Sequence, residues 1–147
     1  MRNFFISVSL IIGLAVSSCS VEPEVIHYGD DQCSFCKMGV VDNTFSAQYV
    51  TDKGKQYKFD DIGCLIRELK SAEINEGDLA FVLVADFANP GKMIDVRNSF
   101  FVTGKEIHSP MRSDFAAVAT KEAAKDFVAN NGGKVVDWEG VKSEILK

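Results

Sequence analysis

The pattern of hydrophobic and polar positions in the first half of the chain predicts a hairpin, a helix and a strand, in that order. Residues 45–51 and 56–59 alternate on either side of Asp52-Lys53-Gly54-Lys55, which predicts a hairpin. Asp60 can then cap a helix. The apolar positions of that helix recur on one face and are Ile62, Leu65, Ile66 and Leu69. A continuous apolar run over 79–85 follows and is typical of a buried strand.

The second half begins with the same kind of pattern. Residues 99–103 and 106–108 flank Gly104-Lys105, which predicts a second hairpin with a tight turn. A helix capped by Ser113 or Thr120 is expected next. Its apolar positions are Phe115, Val118, Phe127 and Val128.

Asn131-Gly132-Gly133 ends that helix, and residues 134–138 predict a last short strand. Each half thus has the order hairpin, helix, strand. We therefore predict an α+β fold made of two similar small subdomains, at about 27–88 and 89–147.

The first residues have the pattern of an export signal. Arg2 precedes an apolar run over 4–16, which is shorter than the roughly 20 residues of a membrane-spanning helix. Cys19 then stands where a bacterial lipobox places its acylated cysteine; ordinary signal cleavage with a spare thiol is the alternative. We expect a lipoprotein signal peptide at 1–18, a lipid-anchored tether at 19–26 and the folded domain at 27–147.

Charge and motif content narrow the classes of function. The chain has 16 basic and 21 acidic residues, for a net charge of −5, and no basic run. Because phosphate contacts need clustered Lys and Arg, no nucleic-acid partner is expected. No glycine-rich phosphate loop and no Ser/His/Asp set stands out, so we predict a protein that is not an enzyme.

Sulfur ligands are concentrated in Asp31-Gln32-Cys33-Ser34-Phe35-Cys36-Lys37-Met38. Thiolate and thioether sulfur select Cu(I), zinc and iron–sulfur centres over hard cations. Attachment of c-type haem needs a histidine directly after the second cysteine. Lys37 occupies that position, so a haem attachment site is excluded. Three interpretations stay open: thiol–disulfide exchange by Cys33 and Cys36, structural zinc, and a Cu(I) site that includes Cys36 and Met38.

More distant residues can complete such a site. For zinc, Cys64 and either His27 or His108 would join the pair of cysteines. For Cu(I), His108 and Met111 are candidates, because Pro110 stiffens the loop between them. Cys64 lies opposite the apolar stripe of its helix, and we expect a small buried residue there rather than a ligand.

Four pieces of the chain, taken in order, resemble the NosL family of bacterial lipoproteins. They are Asp31-x-Cys33-x-x-Cys36-x-Met38, Phe59-Asp60-Asp61-Ile62-Gly63-Cys64, Ser109-Pro110-Met111 and Asn131-Gly132-Gly133-Lys134-Val135. The family consists of copper chaperones for the maturation of nitrous oxide reductase. Its fold has two small α+β subdomains distantly like organomercurial lyase.

The resemblance implies a membrane-anchored periplasmic protein that delivers Cu(I) to the copper–sulfide centre of nitrous oxide reductase, or to another extracytoplasmic copper protein. It carries ligand roles to Cys36, Met38 and Met111, with Cys33 as an accessory thiol and His108 nearby. The family commonly has glycine where this chain has Lys37. The rival functions are an extracytoplasmic thiol–disulfide oxidoreductase and a structural zinc module.

Overall fold

The computed structural model describes residues 20–147; the predicted signal peptide and Cys19 lie outside the described residues. Within that range, no helix is long and apolar enough to cross a membrane. The elements in chain order are β1 (Ala47–Thr51), β2 (Gln56–Phe59), α1 (Ile62–Ser71), β3 (Leu79–Ala85), β4 (Met93–Asp95), β5 (Phe100–Thr103), β6 (Ala116–Val118), α2 (Lys121–Asn131), β7 (Lys134–Val136) and α3 (Trp138–Ile145).

The strands form two antiparallel sheets, which confirms the predicted α+β class. The larger sheet has the order β2-β1-β3-β4, and the smaller one has the order β6-β5-β7. Strand β4 pairs with β3, with Ala85 opposite Met93, so the first sheet extends beyond the boundary predicted near residue 88.

The first half follows the predicted pattern, with one shift at the start of α1. The cap is Asp61 and not Asp60: its Oδ1 accepts a hydrogen bond from the Gly63 N–H at 2.6 Å. Asp60 is buried and accepts a hydrogen bond from the Val41 N–H at 2.8 Å. Adjacent aspartates therefore have separate tasks, one at the helix and one at the loop before β1.

The second hairpin differs from its prediction. Residues 106–108 form no strand, and β5 pairs instead with β6, with Phe101 opposite Ala117. Val118, predicted to be helical, lies in β6, and the helix begins only after Thr120, whose Oγ1 caps it by accepting from the Ala123 N–H. Residues 115–118 are too few for their periodicity to separate a helical turn from a short buried strand.

The sequence pattern also missed helix α3. Trp138, predicted to end a strand, begins this helix, and Asp137 caps it through the Gly140 N–H at 2.8 Å. The indole of Trp138 stacks on Phe101 with 5.4 Å between ring centroids, and its Nε1 donates to Glu76 Oε2 at 2.8 Å. Helix α3 therefore closes the core of the first half.

The two halves share their hydrophobic cores. Phe101 and Trp138 from the second half belong to the main core under the larger sheet. Conversely, Phe45 lies in the smaller core beside Val102, and it packs on Phe87 with 5.5 Å between ring centroids. The halves are thus similar in element order, but each fills part of the other's interior.

Candidate metal site

A tight turn carries the Cys-x-x-Cys-x-Met motif. The Cys33 N–H donates to the Met38 carbonyl at 2.7 Å, and the Lys37 N–H donates to the Cys33 carbonyl at 3.0 Å. Lys37 has a φ of 65°, in the left-handed region that glycine adopts most readily. The chain therefore builds this turn without the glycine common in the family that it resembles.

The edge of the larger sheet fixes the start of the same turn. The Ser34 N–H donates to the Lys58 carbonyl at 2.8 Å, and the Lys58 N–H donates to Ser34 Oγ at 3.3 Å. The Val40 N–H closes the base of the loop on the Asp31 carbonyl at 2.8 Å. These bonds hold Cys33, the neighbour of Ser34, in the interior of the protein.

Three thiols meet at this point. Cys33 comes from the turn, Cys64 from the first turn of α1, and Cys36 from the turn's outer side. Their sulfur atoms all lie within 4.8 Å of one another, and all three cysteines are free. Cys33 and Cys64 are buried, whereas Cys36 is half-buried. We call this group the thiol cluster; it is open to solvent at Cys36.

Charge is divided unequally within the thiol cluster. A hydrogen bond from the Cys64 thiol lowers the pKa of Cys33 to about 4, against the opposing effect of burial. The same hydrogen bond, together with burial and the Cys33 charge, raises the pKa of Cys64. Burial and the neighbouring Cys33 raise the pKa of Cys36. Near neutral pH the cluster thus has one thiolate and two thiols, so a metal ion bound by three thiolates displaces two protons.

The second half contributes the loop before β6 to the same region. The Met111 N–H donates to Asp61 Oδ2 at 3.0 Å, although the two residues lie in different halves. A Cβ added to Gly63 would lie only 2.8 Å from Ser113 Cβ, so the loop rests directly on the first turn of α1. Met111 is half-buried and packs against the main core, to which Cys64 also belongs.

The other predicted ligands lie at the surface. Met38 is 57% exposed, and His108 is exposed as well. His27, considered for zinc, is exposed and contacts Asp31. Among residues 20–147, the structure therefore brings Cys33 and Cys36 together and adds Cys64. Cys64 was expected to be a small buried residue, or a zinc ligand together with the pair of cysteines; it is buried, and its sulfur lies beside theirs.

Three sulfur ligands favour a soft metal ion. Within the described residues, no histidine or carboxylate joins the three sulfurs as a fourth ligand, whereas structural zinc sites are almost always tetrahedral. A redox-active dithiol needs an accessible cysteine with a lowered pKa. Here Cys33, the thiol with the lowered pKa, is buried, and Cys36, the accessible thiol, has a raised pKa. Neither cysteine therefore combines the two properties that thiol–disulfide exchange needs.

Comparison with known proteins identifies one family. The family model named NosL matches residues 25–146, which confirms the resemblance seen in the sequence motifs. A solved structure, the copper chaperone NosL from Shewanella denitrificans, has a TM-score of 0.68 and 20% sequence identity, and the match covers 82% of this chain and 95% of that chain. At this identity the likeness establishes a common fold. No curated protein sequence matches the chain.

Proposed function

The chain belongs to the NosL family, and from this membership and the thiol cluster we propose that it is a carrier of Cu(I) and not an enzyme. The observation that carries the proposal is the approach of three free thiols to within 4.8 Å of one another. Cu(I) is a soft ion that prefers sulfur ligands. The solved relative with the same fold is described as a copper chaperone.

The three thiols have different environments, which suits them to different steps of transport. Cys33 already holds a thiolate and is the anchoring ligand, because Cys64 and the backbone stabilise its charge. Cys64 completes the buried side. Cys36 lies on the open side and is the ligand that a donor or recipient displaces first.

The thioethers and the imidazole would act on the open side of the cluster. Met38 is exposed in the same turn as Cys36, and Met111 lies in the loop held at the start of α1. Neutral thioether ligands bind Cu(I) without releasing a proton, so they can accept the ion during exchange. We propose Met38, Met111 and His108 as these exchange ligands, as the resemblance implies.

We further propose where the protein works. The signal-like segment 1–18 and Cys19 support a lipid-anchored protein that faces the periplasm. Membership of the NosL family supports nitrous oxide reductase, at its copper–sulfide centre, as the recipient. Incorporation of labelled palmitate into the wild-type chain, with none in Cys19→Ser, tests the anchor. Labelling of the Cys19→Ser variant would refute it.

Metal competition tests the carrier function. The reduced protein is titrated anaerobically with Cu(I) and with Zn(II) in the presence of chelators of known affinity. We expect one tightly bound Cu(I), weak binding of Zn(II), and a loss in Cys64→Ser larger than the roughly 10–100-fold typical of an outer-shell partner. Met38→Leu should weaken binding less. Preference for Zn(II), or Cu(I) affinity unchanged in Cys64→Ser, would contradict the proposal.

Delivery needs a separate experiment. Cells that lack this protein but express nitrous oxide reductase should accumulate a reductase with little copper. Wild-type protein should restore the copper content, and Cys64→Ser should not. A fully copper-loaded reductase in cells without the protein would assign the carrier to another recipient, whereas the binding result would stand.

A further inference from the structure

Residues 22–26, here called the strap, lie across one face of the larger sheet. Side chains of the sheet hold the strap by its backbone: Gln48 Nε2 donates to the Glu24 carbonyl at 3.1 Å, and Gln56 Oε1 accepts from the Glu24 N–H at 3.2 Å. Gln56 Nε2 also donates to the Glu22 carbonyl at 3.1 Å. The segment predicted as a tether therefore has a docked position on the fold.

Lys58 connects the strap with the thiol-bearing turn. Its ammonium donates to the Val25 carbonyl at 3.0 Å and pairs with Asp31 at 2.8 Å, and its side chain is only 11% exposed. Its backbone exchanges two hydrogen bonds with Ser34, the residue after Cys33. Asp31 in turn closes the base of the turn through Val40. One residue thus contacts both segments.

The strap is anchored at its end by Ile26, which is buried in the main core, and residues 22–25 before it are packed less densely. A cavity of about 430 Å³ lies beneath it, bordered by Phe81, Leu83 and Met93 of the sheet. Within residues 20–147, Gln48 Oε1 is the only buried side-chain oxygen without a hydrogen-bond partner. Both features lower the free energy needed to release residues 22–25, because release lets water hydrate the amide and leaves Ile26 packed in the main core.

We propose that Lys58 is a positioning residue that couples docking of the strap to closure of the turn carrying Cys33 and Cys36. Release of the strap then loosens the thiol cluster, and a metal ion bound there tightens the strap, since such coupling is reciprocal. The inference rests on the proposed function for the identity of that ion, Cu(I). The coupling itself also exists in the metal-free protein.

Two variants of the full chain test the coupling: one removes the connecting side chain, and the other removes contacts of the strap alone. Lys58→Met removes the ammonium that connects the two segments. Gln56→Leu removes strap contacts from a residue whose other side-chain bonds go to Gln48 and Gly54. Lys53→Met, at an exposed position in the β1–β2 turn, is the matched control.

The first readouts are taken without metal. Hydrogen exchange at the Glu24 amide reports release of the strap, and the alkylation rate of half-buried Cys36 at fixed pH reports opening of the cluster. We expect both to rise about fivefold or more in Lys58→Met and Gln56→Leu, and to remain at wild-type values in Lys53→Met. Exchange at Val82, in the centre of the larger sheet, should not change, which excludes global unfolding.

Cu(I) then tests the reverse direction. Its binding should slow exchange at the Glu24 amide in the wild type but not in Lys58→Met. A variant in which the strap exchanges faster while Cys36 reacts at the wild-type rate overturns the coupling, and so does wild-type behaviour of both variants. If Cu(I) fails to bind, the proposed function fails, and the metal-free readouts still decide the coupling.

Discussion

The Met111 backbone N–H and the Asp61 carboxylate, 3.0 Å apart, join the second half of the protein to the helix that carries Cys64. The other carboxylate oxygen of Asp61 caps that helix through Gly63. One fully buried carboxylate therefore fixes the start of α1 and the loop with Met111 together. The relative position of the thiol cluster and Met111 depends on this residue.

Asp61→Ala should lower the free energy of unfolding by about 2–4 kcal/mol. A lost helix cap accounts for about 1 kcal/mol, and the unpaired Met111 N–H for a further 1–3 kcal/mol. The measurement is urea unfolding, with Asp137→Ala as control because Asp137 only caps α3. Equal losses in the two variants would show that the bond to Met111 contributes nothing.

Cys33 should make the metal-free, reduced protein less stable in acid. Its pKa is about 4 in the folded protein, below the ordinary thiol value of 9.0. A lowered acid pKa contributes stability that is fully present above the unfolded value and is lost as pH falls towards the folded one. The contribution of Cys33 should therefore decrease steadily from about pH 9 to pH 4.

Urea midpoints at pH 8 and pH 5 test this linkage. The midpoint of the wild type should fall more between the two conditions than that of Cys33→Ser. Thiolate absorbance near 240 nm should persist at pH 6 in the wild type and be lost in Cys33→Ser. Equal pH dependence in both proteins would mean that Cys33 is an ordinary thiol.

Lys37→Gly should stabilise the protein by roughly 0.5–1 kcal/mol. The φ of 65° costs an L-residue about 1–2 kcal/mol, and glycine avoids this strain while losing about 0.5–1 kcal/mol through its freer unfolded chain. Lys53→Gly, where φ is not positive, should destabilise instead. Thermal unfolding of both variants gives the comparison, and a loss of stability in Lys37→Gly would show that the side chain matters more than the strain.

Gly133→Ala should destabilise the protein more than Gly132→Ala, by about 1–3 kcal/mol. Both glycines have positive φ, but a Cβ on Gly132 meets no atom within 4 Å. A Cβ on Gly133 would lie 2.2 Å from the Thr103 carbonyl oxygen, where β7 pairs with β5. Chemical denaturation measures the difference; similar losses would mean that backbone strain alone governs this turn.

Local patterns predicted α1 and β3 and missed β6 and α3. The stripe ending at Leu69 predicted α1 because it recurs over about two helical turns, and the unbroken apolar run predicted β3 because it covers all 7 residues of that strand. Strand β6 has three residues, too few to show a period. Trp138 has both strand and helix character, and its position in α3 depends on contacts with Phe101 and Glu76 from distant parts of the chain.

The same difference between local patterns and distant contacts applies to the candidate metal site. The spacing of Cys33 and Cys36 is a local signal, so their proximity was predictable. The approach of Cys64 was one open alternative, because it depends on how the bonds between Ser34 and Lys58 place the turn against α1. Whether Met111 binds copper stays a prediction, and the Cu(I) titration repeated on Met111→Leu would test it.

The exchange of core side chains between the halves has a consequence for how this protein arose and how it can be divided. Phe45 fills the interior of the smaller core, and Phe101 fills that of the larger one. A chain cut between β3 and β5 would leave each fragment with a gap where the other's ring belongs, so neither fragment is a self-sufficient ancestor. If the repeat came from duplication, a single copy would have lacked one of these rings, and association of two copies would have supplied it.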